Sequence, residues 1–118
     1  MNVRRGDVLL ARYPFAAGVG VKRRPVLVVQ NDQDNQRLTN TIVVQITSNL
    51  RRTQQPTHLL VEMKTPEGKQ SGLLVDSVIS CVNILTIDGG RIDRVIGSLP
   101  LSLMAKVDRC LKAALALP

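Results

Sequence analysis

The chain has 118 residues and carries 16 lysines and arginines against 9 aspartates and glutamates, a formal net charge of +7 at neutral pH. That length fits one domain, residues 1–118, and 44% apolar against 21% charged residues is the composition of a chain with a core, not of a disordered one. No apolar stretch reaches the roughly 18–20 residues of a membrane span, and no long apolar segment follows Met1–Asp7, so the expected location is the cytoplasm, with no membrane contact.

The first apolar run, Val8–Tyr13, is bounded by Gly6-Asp7 and by Pro14, which predicts a strand. From Phe15 to Arg24 the chain holds two glycines, no sustained period and a terminal basic triplet, which reads as a mobile loop of a length that often binds a ligand. Pro25–Asn31 is continuous and β-branched, the pattern of a strand buried on both faces, and Pro25 is tolerable at its start. Asn31–Asn35 supplies turn residues. A third strand, Thr41–Thr47, ends in the polar Thr47-Ser48-Asn49, with Arg51-Arg52 just beyond. Thr57–Met63 reads as a fourth strand, and Gly72–Val75 followed by Ser77–Cys81 as a fifth, bent near Asp76. Ile84–Ile87, the turn Asp88-Gly89-Gly90 and Arg91–Gly97 give a hairpin-like ending. Only the C-terminus has the other period. Leu103 or Met104, Val107, Leu111 and Leu115 recur at three- to four-residue steps, which predicts a helix of about four turns with Pro100 at its start. Many short strands and one helix define the expected fold class: mainly β, a small SH3-like antiparallel barrel closed by a C-terminal α-helix.

Charge is unevenly spread. Residues 1–52 hold nine basic side chains (Arg4, Arg5, Arg12, Lys22, Arg23, Arg24, Arg37, Arg51, Arg52) against Asp7, Asp32 and Asp34, a net +6. With a pI near 10.3, this field attracts polyanions, either nucleic acid or an acidic peptide. The aromatic residues are Tyr13 and Phe15, so a platform of several stacking rings is unavailable, and base recognition must rest on hydrogen bonds and arginine planes.

Cutting RNA without a metal requires the 2′-hydroxyl to attack its own phosphate, so positioning and donors to the phosphoryl oxygens are needed. Arg24, where the loop meets a strand, offers a fork that matches two phosphate oxygens. Thr47, at the end of the third strand, offers a hydroxyl. On residue type alone, a solvated charge or a salt bridge to Asp7 accounts for Arg24 as well, and a strand-ending β-former accounts for Thr47. Arg51-Arg52 is either a solvated turn or a grip on an RNA backbone. The single histidine, His58, reads as a surface or edge residue without a titrating partner. Cys81 and Cys110 read as buried small hydrophobes, too few for a disulfide scaffold and too isolated for a CxxC site. No metal and no other cofactor is expected.

In chain order, Arg5-Gly6-Asp7-Val8, Arg24-Pro25-Val26-Leu27-Val28-Val29-Gln30-Asn31-Asp32, Ile46-Thr47-Ser48, Pro56-Thr57-His58, Asp76-Ser77-Val78-Ile79, Thr86-Ile87-Asp88 with Arg91, and Ile96-Gly97-Ser98-Leu99 resemble the MazF/PemK family of toxins from type II toxin–antitoxin systems. The resemblance runs from about Arg5 to Leu117. It implies a homodimer of SH3-like barrels that cuts single-stranded mRNA at short sequences without metal. The 2′-hydroxyl attack leaves a 2′,3′-cyclic phosphate, translation and growth stop, and an acidic cognate antitoxin neutralises the toxin. The family's arginine before proline falls on Arg24, and its threonine after the third strand on Thr47. One branch also uses an arginine and an aspartate just ahead of the Thr-Ile-Asp motif; Ser80 and Val82 stand there, so the chain resembles the branch that relies on arginine and threonine. Arginine stays protonated in proteins and is a poor base. Arg24 is therefore expected to stabilise the developing phosphorane charge and to lend a proton to the leaving oxygen, while Thr47 fixes the phosphate; the general base is unassigned. Phe15, Lys22, Arg23, Ser48, Asn49, Arg51, Arg52 and Ser77 are expected along the RNA path. Asn83 stands where the family commonly has glutamine.

Two other classes stay open on the sequence. A non-enzymatic toxin of the same fold, like the CcdB poisons, would bind a protein target such as DNA gyrase and leave Arg24 and Thr47 without catalytic duty. A plain nucleic-acid-binding barrel would hold RNA with steep salt dependence and release it uncut. The +6 half and the glycine-containing loop also predict that an extended acidic peptide and RNA occupy one groove.

Overall fold

The computed structural model describes residues 1–12 and 22–118; the loop expected from Phe15 onward lies largely outside them. Along β1 (Asp7–Arg12), β2 (Arg23–Val28) and β3 (Asn40–Thr47), apolar side chains point to both faces of the sheet. Val8, Leu27, Val44 and Ile46 enter one core, while Leu9, Val26, Val28 and Val43 enter a second. Burial on both sides is why these segments read as continuous apolar runs without alternation. Each such side chain contributes about 1.5–3 kcal/mol when fully buried.

The remaining strands are β4 (His58–Val61), β5 (Ser77–Asp88) and β6 (Ile92–Ser98), and the six-stranded antiparallel sheet has the order β4-β5-β3-β2-β1-β6. Its edge strands, β4 and β6, do not pair with each other, so the barrel is not closed by strand pairing. The segment that follows helix α2 (Pro66–Gln70) lies against β6 instead. There the backbones touch: a Cβ on Gly72, whose φ is +74°, would stand 1.9 Å from the Ile96 carbonyl oxygen, and one on Gly97 would stand 2.4 Å from that of Ser71.

The C-terminal helix (Leu101–Leu115), α3 in a count that places α1 at Asp32–Arg37, covers the first core with Met104, Val107 and Cys110. Pro100 stands at its N-cap, and Ala116, in the left-handed region, donates its N–H to the Lys112 carbonyl to end it. Arg5 ties this helix to the sheet: its guanidinium is 2.6 Å from Asp108 and its Nε donates to the Val29 carbonyl.

Four local expectations need correction. Asn31–Asn35 is not a simple turn: the Asn31 side chain accepts from the Asp34 N–H, Asp32 and Asp34 sit in the first turn, and α1 forms over Asp32–Arg37. Its buried Asn35 exchanges hydrogen bonds with Gln30 and accepts from the Thr41 hydroxyl, which anchors the helix to β3. Helix α2 was not expected, although Thr65 caps it and Pro66 opens it. Gly72–Val75 lies outside β5, which instead runs unbroken for 12 residues and takes in Ile84–Ile87. It accommodates a bulge, because Val44 pairs with Ile84 while Gln45 pairs with Ser80, leaving Cys81–Asn83 extra on β5. Finally, β5 and β6 make no hairpin. The short turn Gly89–Arg91 sends β6 to β1, where Ile92 joins the second core beside Leu9 and Ala11.

Gly72→Ala is expected to lower stability by about 2 kcal/mol or more, because the new Cβ meets backbone in a left-handed conformation. Urea unfolding should show the midpoint falling at constant slope. An unchanged midpoint would mean that the α2 segment gives way without cost.

Candidate active site

β2 begins where β3 ends. Their ladder pairs Val28 with Val43, Leu27 with Val44 and Val26 with Gln45, and it stops at Pro25, which has no N–H to donate. The same register continued by two residues sets Arg24 opposite Thr47. Both side chains line one cavity of about 260 Å³. Leu10, Pro25, Ile46, Leu73 and Ile96 give it apolar walls, and Arg24, Thr47, Ser48 and Ser77 supply the polar groups. Arg24 is exposed and forms no ion pair among the described residues. The salt bridge to Asp7 is not made; that carboxylate accepts from the Arg4 N–H.

The Thr47 hydroxyl oxygen accepts from the Asn49 N–H at 3.1 Å, which leaves its own proton available for an acceptor in the cavity. Asn49 Oδ1 in turn accepts from the Arg51 N–H at 3.1 Å. These two local turns end β3 and carry Arg51 and Arg52 to the rim of a second cavity, of about 220 Å³, lined by Gln45, Thr47, Asn49, His58, Ser80 and Asn83 as well. Thr47 belongs to both cavities. Among the described residues, no acidic side chain lines either one. The local field is that of Arg24, Arg51 and Arg52, which suits a phosphodiester.

The expected RNA-path residues therefore divide. Ser48 and Ser77 join Arg24 and Thr47, although Ser77 Oγ donates to the Val75 carbonyl and is buried. Asn49, Arg51 and Arg52 join Thr47 in the second cavity. Lys22 and Arg23 are exposed but line neither; Arg23 faces β6, with its Nε 3.5 Å from Asp93. Phe15 lies outside the described residues.

His58 is on an edge strand, as read from the sequence, but it is buried, not at the surface. Ser80 faces it across the β4–β5 register, with Ser80 Oγ 3.1 Å from Nε2, and Thr57 Oγ1 is 2.8 Å from Nδ1. Two hydroxyls thus satisfy both ring nitrogens. Burial, reinforced by the Arg52 charge, holds the imidazole pKa below its ordinary 6.5 and keeps the ring neutral at pH 7. Gln45 is not among the residues the sequence singles out, whereas Ser80 and Asn83 enter that reading only as departures from family positions. Gln45 had a signal, since it stands two residues before Thr47 on the same strand face; Ser80 and Asn83 meet only through the β5 bulge. Cys81 and Cys110 are buried in the first core as expected, and burial pushes the Cys81 thiol up to about 12, which removes it as a nucleophile.

The family model for the PemK-like, MazF-like toxin of type II toxin–antitoxin systems matches residues 4–115. Endoribonuclease EndoA of Bacillus subtilis is 39% identical over 120 residues, covering 99% of this chain and 97% of the relative. Endoribonuclease MazF of Staphylococcus epidermidis is 36% identical over 118 residues, covering 98% and 92%. The solved structure of Mycobacterium tuberculosis toxin MazF-mt6 superposes with a TM-score of 0.77 at 28% identity, covering 95% of this chain and 98% of that one.

The buried imidazole gives a pH prediction. Between its lowered folded pKa and about 6.5, the unfolded chain binds more protons than the folded one, so stability is fully present above that window and is lost as pH falls through it. The single imidazole resonance is expected to titrate below 6.5, and His58→Gln should flatten the dependence of the unfolding midpoint on pH in this window. A midpoint at or above 6.5 would contradict the burial.

Proposed function

The chain belongs to the PemK-like, MazF-like toxins of type II toxin–antitoxin systems, and we propose from this premise that it is an endoribonuclease acting on single-stranded mRNA, with Arg24 and Thr47 on the scissile phosphate. One observation carries the residue assignment: Arg24 and Thr47 line a single cavity from adjacent strands, beside a second cavity that adds Arg51 and Arg52. The RNA 2′-hydroxyl attacks phosphorus, the bond to the 5′-oxygen breaks, and a 2′,3′-cyclic phosphate remains. Arg24 stabilises the pentacoordinate charge with its planar fork and lends a proton to the leaving oxygen. Thr47 donates its free hydroxyl proton to a non-bridging oxygen, its lone pair being engaged by Asn49. Neither residue takes the 2′-hydroxyl proton, since Arg24 is already protonated when the attack begins and Thr47 is a neutral hydroxyl; that proton passes to solvent, which also returns a proton to Arg24 after the leaving oxygen has been protonated. Nothing in this route calls on a metal ion.

The same basic groove accepts an acidic segment of the cognate antitoxin, and the toxin works as a homodimer in the cytoplasm. No helix among the described residues is long and apolar enough to cross a membrane. The non-enzymatic, CcdB-like alternative is less well supported, because the relatives from Bacillus subtilis and Staphylococcus epidermidis, each matched over nearly the whole chain, are both named endoribonucleases.

Purified protein in EDTA is expected to cut a long single-stranded transcript and leave cyclic phosphate ends. Arg24→Ala should reduce the rate by about 100- to 1,000-fold and Thr47→Val by a smaller factor, with folding and assembly intact by circular dichroism and sedimentation. Full cutting by Arg24→Ala would remove that residue from the chemistry. Intact RNA with wild-type protein, across varied sequences, would return the reading to a binding toxin.

An acidic antitoxin peptide is also expected to compete with an uncleavable RNA analogue for this groove. Simultaneous tight binding of both would separate the two sites.

A further inference from the structure

Helix α3 turns one face to solvent, and the charges on that face do not compensate one another. Lys106, Arg109 and Lys112 are all exposed, and none forms an ion pair among the described residues. We propose that this stripe is a second RNA contact: an electrostatic exosite that holds the phosphate backbone of a long single-stranded transcript away from the cut, without regard to sequence. The inference rests on the endoribonuclease reading of the Arg24 and Thr47 site.

The first ground is the arrangement of charge along the helix. Side chains three apart are neighbours, so Lys106 repels Arg109 and Arg109 repels Lys112. A solvated helix face ordinarily interleaves acids at such spacings. Here the only carboxylate of α3 is Asp108, four residues before Lys112, and Arg5 holds it at 2.6 Å. Arg5 Nε also donates to the Val29 carbonyl, which fixes the guanidinium in place. The ion pair that ties the helix to the sheet thus deprives the stripe of its one internal counter-ion. Lys106 borders a groove that has Glu62 and Glu67 on its wall, but Glu62 is engaged by Lys64 at 3.3 Å.

The second ground is what stands between the cations. Ser102, Ala105 and Ala113 are exposed and short, while the exposed Leu101 and Leu115 lie at the two ends of the helix, beyond the stripe. A protein partner draws most of its affinity from bulky side chains seated at the centre of an interface, and the centre of this face has no bulky apolar group to meet them. A phosphate backbone needs none. It binds by counter-ion release to Lys and Arg, whatever its sequence.

The third ground is position. Ile46, Leu73 and Ile96 wall the Arg24 and Thr47 cavity and also pack into the first core, the core that α3 covers. Cavity and helix therefore adjoin one core. The molecule measures 34 × 33 × 28 Å, and at about 3.4 Å per stacked nucleotide roughly ten nucleotides cross it. A transcript gripped at its cut has ample length to reach α3, whereas a substrate of about six nucleotides leaves only about 10 Å of strand on either side.

The test uses the full chain and two RNAs that share one cut site, of about six and about thirty nucleotides. The triple variant Lys106→Gln, Arg109→Gln, Lys112→Gln should lower kcat/KM on the long RNA by about tenfold at low salt, through KM, and leave cutting of the short one unchanged. With the long RNA made uncleavable by a 2′-deoxy nucleotide at the cut, the slope of log affinity against log salt should flatten by about 2, three contacts at about 0.7 each. Lys106→Arg with Lys112→Arg should keep the wild-type slope. Sedimentation follows assembly; where the triple variant differs, Arg109→Gln and Lys112→Gln singly are each expected to flatten the slope by about 0.7. A wild-type slope in the triple variant, or an equal loss on both RNAs, would overturn the exosite. Weaker binding of an acidic antitoxin peptide with the RNA slope unchanged would also overturn it and give the face to a protein partner. Because the slope is read without cutting, the two inferences separate. A flattened slope in a protein that cuts no RNA would sink the nuclease and support the exosite, and normal cutting with an unflattened slope would do the reverse.

Discussion

The pairing register of β2 with β3 is the constraint on which the site depends. Because side chains alternate with a period of two, a slip of one residue would exchange Ile46 with Thr47, sending a hydroxyl into the first core and taking it away from Arg24. Two cores hold the register in place. Leu27, Val44 and Ile46 are buried on one side, and Val26, Val28 and Val43 on the other, so the strands cannot shift without opening both. Pro25 then ends the ladder at the one place where a ligand needs access to two strand ends. The rigid element and the open mouth are consecutive residues of the same strand.

Electrostatics follow from that framework. Arg24, Arg51 and Arg52 converge on two adjoining cavities with no described carboxylate among the lining residues, while other arginines are engaged elsewhere: Arg5 with Asp108, Arg23 with Asp93, Arg37 with Asp34. Cations left uncompensated repel one another and weakly destabilise the fold, and that cost is offset when a polyanion binds. His58 fits the same logic. A neutral, doubly hydrogen-bonded imidazole adds no further positive charge beside Arg52 and supports the wall through Ser80.

Much of the fold was legible from local chemistry. The β-branched run Pro25–Asn31, the polar ending Thr47-Ser48-Asn49 and the helical spacing of Met104, Val107 and Leu111 each specify an element through steric and burial preferences of neighbouring residues. The errors arose where a short segment answers to a distant partner. Asn31–Asn35 has turn composition, yet a cap and the buried Asn35 make it a helix; Asp88-Gly89-Gly90 has hairpin composition, yet β6 finds its partner in β1. Likewise His58 looks like a surface residue in sequence, yet it is buried, with Ser80, 22 residues on, facing it from β5.

By itself the sequence determined most of the strands, the closing helix and the basic character of the first half, since these follow from side-chain type and near-neighbour spacing; it singled out Arg24 and Thr47 only through their place in a family resemblance. Tertiary structure alone decided that Arg24 and Thr47 share a cavity, that Arg23 and Lys22 do not, and that Asn83 is braced over Ser80. Those facts depend on strand register and on a bulge, and both are set by packing between residues far apart in the chain, which no local pattern records.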